Sequence, residues 1–132
     1  MSQGLNSQQV EQFHDDGFLI VRDLLPPDAV QPIVDELEEK VDEAAAEVVT
    51  LGILPTTNTY PEAPFDTRLA LMAQASSDRT WFWNQFHGKH HKTAGMFTLR
   101  TWPTLLDVAE SLIGPEILAH PQTVLRAKLP DH

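Results

Sequence analysis

Between Gln9 and Val30 the chain reads QVEQFHDDGFLIVRDLLPPDAV. This run constrains the fold more than any other, because a glycine and a proline pair divide it with no residues to spare. Ser7 or Asn6 is placed to cap a short helix whose apolar face carries Val10 and Phe13. Gly17 supplies the left-handed residue that ends it. Phe18 to Val21 is then a run of four apolar residues, the length of a compact strand. Pro26 and Pro27 close that strand and, with Asp28, open a second helix, since first-turn amides have no intrahelical partner for a proline to remove.

In the second helix, apolar residues fall at Val30, Ile33, Val34, Leu37, Val41, Ala44 and Val48, the three-and-four spacing of one buried stripe. Pro32 sits close to the start, where it costs least. Prolines 55, 61 and 64 with Thr56, Thr57 and Asn58 mark a loop from Leu51 to Pro64. Asp66 or Thr67 can cap a third helix through Leu69, Met72 and Ala73, and Ser77 or Asp78 a fourth that runs through Trp81, Phe82 and Phe86 to Gly88. A fifth begins at Thr104, carries Leu105, Val108, Ala109 and Leu112 on one side, and stops at Gly114-Pro115. After it the period becomes two. Gln122, Val124, Arg126 and Lys128 fall on one strand face, and Thr123, Leu125, Ala127 and Leu129 on the other.

At 132 residues and 42% apolar composition the chain suits one soluble domain with a core. With no long apolar run and a polar N-terminus, neither a membrane anchor nor a secretory signal is expected, and the default compartment is the cytoplasm. The absence of cysteine removes disulfides, thiolate metal sites and cysteine nucleophiles together. Residues 1–66 hold 14 acidic and 2 basic side chains, whereas residues 67–132 hold 5 acidic and 7 basic. Most of the acidic surplus lies on the second helix, from Asp35 to Glu47, as a solvated face. An acidic chain of this kind is a poor partner for nucleic acid, whose phosphates need a basic surface.

The order helix, Asp-Gly-Phe, strand, acidic helix from Gln9 to Leu37 resembles the N-terminus of the phytanoyl-CoA dioxygenase family. LRAKLPDH, from Leu125 to His132, resembles the family's strand just before its metal motif. Members oxidise small organic substrates with iron(II), 2-oxoglutarate and oxygen. The resemblance implies an α+β fold: an N-terminal helical layer and the first strands of a double-stranded β-helix, a cupin-like jelly roll. A jelly roll needs about eight strands and two are evident here, so the barrel is expected to be incomplete. Residues 1–132 then form the N-terminal part of a single domain, cut before the family's H-x-D iron motif. The implied function is that of an N-terminal fragment of an iron(II)/2-oxoglutarate dioxygenase hydroxylating a small molecule. Alone it is expected to be inactive and to bind neither iron nor 2-oxoglutarate tightly. The alternative is a complete, small, non-catalytic α-rich binding protein.

Three groups of residues bear on chemistry. His14-Asp15-Asp16 is a literal H-x-D, but residues two apart on a helix point about 200° apart and cannot share an ion, so they read as surface residues of a last turn. His87 and His91 are spaced like helical zinc ligands, with His90 between them. Gly88 interrupts that spacing and no carboxylate completes a site, which favours a structural or solvated role. Trp81, Phe82, Trp83, Phe86, Met96, Phe97 and Trp102 read as core, with a substrate entrance as the other option. Lys128 matches a lysine that in family members contacts 2-oxoglutarate, where an ammonium gains a charge-assisted bond to carboxylate. Its other reading is a strand lysine facing water. Arg126 shares its face, and Gln122 and His120 lie farther from it.

Overall fold

The computed structural model describes residues 4–87 and 92–129. Six helices make up its regular structure: α1 (Ser7–Asp16), α2 (Pro27–Thr50), α3 (Phe65–Ala75), α4 (Arg79–Phe86), α5 (Ala94–Arg100) and α6 (Pro103–Ile113). The chain divides into two compact units. One comprises Met1–Ile33 with Lys92–Pro121, the other Val34–His91 with Gln122–His132. Among the described residues no helix is long and apolar enough to cross a membrane.

In the first unit, Asn6 rather than Ser7 caps α1, and it does so reciprocally. Its Oδ1 accepts from the Gln9 amide at 2.9 Å, while its own amide donates to Gln9 Oε1 at 3.0 Å. Two first-turn donors are thereby satisfied. Gly17 ends the helix in the left-handed region at φ 76°, its amide donating to Phe13 O. Asn6→Ala should cost about 1 kcal/mol and Asn6→Asp almost nothing. Hydrogen exchange of the α1 amides checks this, and equal exchange in the two variants would refute the capping role.

Elsewhere in this unit, Ser111 of α6 links two segments. Its Oγ accepts from the Leu5 amide at 2.9 Å and donates to Asp107 O at 2.8 Å. The chain passes so close at Gly4 that a Cβ there would run into Ser111 Oγ. Thr104 Oγ1 donates to Leu24 O at 3.0 Å, tying the start of α6 to the turn before α2.

In the second unit, α2 ends in a Schellman turn. Gly52 adopts φ 66°, with Ile53 N donating to Val48 O at 3.0 Å and Gly52 N to Val49 O at 3.2 Å. That turn carries Ile53 back against the core. Val41, Ala45 and Val48 of α2 are buried there with Leu54 of the following loop, Met72 and Ala73 of α3, and Phe82 and Phe86 of α4. Arg68, 16% exposed, pins α3 to α2 and to the loop. Its Nη1 meets Asp42 Oδ1 at 2.5 Å, and its Nε donates to Thr59 O at 3.1 Å.

The α+β expectation is overturned: every regular element among the described residues is a helix. Phe18–Val21 forms no strand, and no backbone hydrogen bond joins it to another segment among the described residues. From Gln122 to Leu129 a single bridge residue, Val124, is the whole of the expected strand. Alternating side chains give a segment two faces, but a strand exists only where a neighbour takes its amides and carbonyls. The jelly-roll start is therefore absent from the described structure. Two helix readings also change. α3 begins at Phe65 behind Pro64, which makes no side-chain cap, and α5 has no counterpart among the helices expected from the apolar spacing.

Candidate functional site

The second unit holds a half-open cavity of about 210 Å³. Leu37 and Val41 of α2, Phe65 and Leu69 of α3, and Phe86 of α4 give it apolar walls. The remaining wall is the non-helical segment Leu125–Leu129. Along that segment burial alternates as the sequence period predicts: Thr123, Leu125, Ala127 and Leu129 turn inward, while Val124, Arg126 and Lys128 are exposed. The inward residues anchor the segment, with Leu129 in the core and Ala127 packed against it. The outward ones set the charge at the opening.

Lys128 thus stands exposed on the face shared with Arg126, and both residues line the cavity. Among the described residues neither has an ion-pair or hydrogen-bond partner. Asp66, in the first turn of α3, is the one acidic residue among those lining this cavity. Among the described residues, two basic residues and one acidic residue thus border one small apolar space.

The loop before α3 is held by its own side chains. Asn58 Oδ1 accepts from Tyr60 N at 2.9 Å and Thr56 Oγ1 from Asn58 N at 3.3 Å. Tyr60 adopts φ 51°, a left-handed conformation unusual for so large a residue. These bonds, with Arg68 on Thr59 O, fix how the chain enters α3 and so where Phe65 and Asp66 stand.

His14 is exposed in the last turn of α1, as expected, with Asp16 exposed two residues on. His87 follows α4 as its C-cap. Its ring stacks on Trp83 with centroids 3.6 Å apart, and its Nδ1 is buried without a hydrogen-bond partner among the described residues. His90 and His91 lie outside the described residues, so the cluster cannot be assembled from them. Among the described residues no three His, Asp or Glu side chains converge on a point where a metal could be held.

Of the aromatics, Phe82 and Phe86 are core, and Trp81 and Trp83 pack against that core. Phe86 also walls the cavity. Phe97 is 69% exposed and belongs to neither. His120 and Gln122 are exposed; the His120 carbonyl accepts from Arg100 at 2.5 Å. Sequence reasoning misses Leu37, Phe65 and Leu69 as cavity residues, and takes Asp66 only as a cap. Nothing local in the sequence marks them, because the space is bounded by segments dozens of residues apart. No family model, curated protein or solved structure matches the chain.

Proposed function

We propose that this chain supplies the helical portion of an iron(II)- and 2-oxoglutarate-dependent dioxygenase that hydroxylates a small organic molecule, resembling the phytanoyl-CoA dioxygenase family. The observation that carries the reading is Lys128. It falls within LRAKLPDH, at the position where the family places its cosubstrate lysine, and its ammonium is exposed without a partner among the described residues. An ammonium so placed can take a carboxylate of 2-oxoglutarate through a charge-assisted hydrogen bond. Iron and oxygen chemistry in this reading belongs to residues other than those described.

A second reading is a non-catalytic α-rich binding protein, favoured by the helical character of every regular element among the described residues. The gene separates the two. If the first is correct, the reading frame past the His132 codon should soon encode an H-x-D. A stop codon there in an intact gene would overturn it in favour of the second.

A further inference from the structure

We infer that the cavity between α2, α3, α4 and the Leu125–Leu129 segment takes a small organic carboxylate whose apolar part is about the size of a benzene ring. The inference stands on the cavity and its charges, and holds or fails apart from any iron chemistry.

Size comes first. An apolar cavity of ~150 Å³ suffices to bind benzene, and this one, at about 210 Å³, has room for a ring and a short acidic arm. Its walls come next. Leu37, Val41, Phe65, Leu69, Phe86 and Leu125 present hydrocarbon and no hydrogen-bonding side chain, so they reward an apolar body and give nothing to a polar one.

Charge fixes the remaining part of the ligand. Arg126 and Lys128 are exposed lining residues and so sit where the cavity meets solvent, both uncommitted among the described residues. Among the described lining residues Asp66 offsets one of them, leaving an excess of one positive charge there on a chain whose net charge is −10. A monoanion with its charge at one end and hydrocarbon at the other satisfies both regions at once.

The probe is phenylacetate, titrated into the 132-residue chain and followed by calorimetry and by the methyl NMR signals of Leu37, Leu69 and Leu125. Phenylacetamide, of the same shape but neutral, is the control. Phenylacetate should shift those methyl signals and bind about two- to fivefold tighter than phenylacetamide. Lys128→Met and Arg126→Met should each weaken phenylacetate about two- to fivefold and leave phenylacetamide unchanged. Asp66→Asn should strengthen phenylacetate, because it removes the one repulsive charge. All three substitutions are at exposed positions, so the fold should survive them. Equal affinity for acid and amide, weaker binding in Asp66→Asn, or no methyl shift at millimolar phenylacetate would each overturn the assignment.

Discussion

Phe82→Ala should remove about 3–5 kcal/mol from the stability of the second unit. Phe82 is fully buried and, with Met72 and Val48, is among the largest side chains to be so. It stands edge-on to Trp81, centroids 5.1 Å apart and planes at 82°. Truncation removes the transfer free energy of the ring, leaves a hole among Val48, Met72 and Phe86, and forfeits a ring contact of roughly 0.5–1.5 kcal/mol. A domain is typically stable by only about 5–15 kcal/mol, so a loss of this size leaves the unit near its threshold. Urea titration followed by tryptophan fluorescence reads it directly, because Trp81 and Trp83 pack against the same core. Leu51→Ala is the control within the same unit. That side chain is 55% exposed and its truncation should change stability by about 0.5 kcal/mol or less. If the two variants melt alike, Phe82 is not the centre of a closed core.

What is legible in the sequence is local. A cap at Asn6 or Ser7 is legible from residue type alone, and the structure selects Asn6. The same holds for Asp78, whose Oδ1 accepts from Trp81 N at 3.1 Å, and for Gly114 at the end of α6. The stripe on α2 is equally legible, since Ile33, Val41, Ala44 and Val48 are all buried. α5 is not. It has seven residues with Gly95 near its start, too short and too weak in propensity to show a period, and only the Thr93 cap announces it.

The strands fail for the opposite reason. Alternation along Thr123–Leu129 describes the residues correctly, and burial does alternate there. Pairing, however, is a property of two segments, and no single segment encodes it. The cavity is non-local in the same sense, requiring Leu37, Phe65, Phe86 and Leu125 to meet. Lys128 lies between these cases. Its face is legible from the period of two, whereas the cavity beside it is not.

A sharper test of α2 uses two adjacent valines. One residue of α-helix turns about 100°, so neighbours can face core and solvent respectively. Val48 is fully buried and Val49 is 40% exposed. Val48→Asp places a carboxylate in the core cluster that holds Met72 and Phe82 and should cost several kcal/mol, enough to unfold the unit, whereas Val49→Asp should cost about 1 kcal/mol or less. Both substitutions put a negative charge in the last turn of α2, where the helix dipole disfavours it by about 0.3–1 kcal/mol. That penalty is common to the pair and cancels in the comparison. What remains is burial. Desolvation would raise the introduced carboxyl's pKa in the folded state above its unfolded value near ~3.9. The penalty of Val48→Asp therefore grows as pH rises above that unfolded value and shrinks as pH falls towards it, while that of Val49→Asp stays nearly flat. Stability curves of the two variants that run parallel from about pH 4 to about pH 8 would place Val48 outside the core.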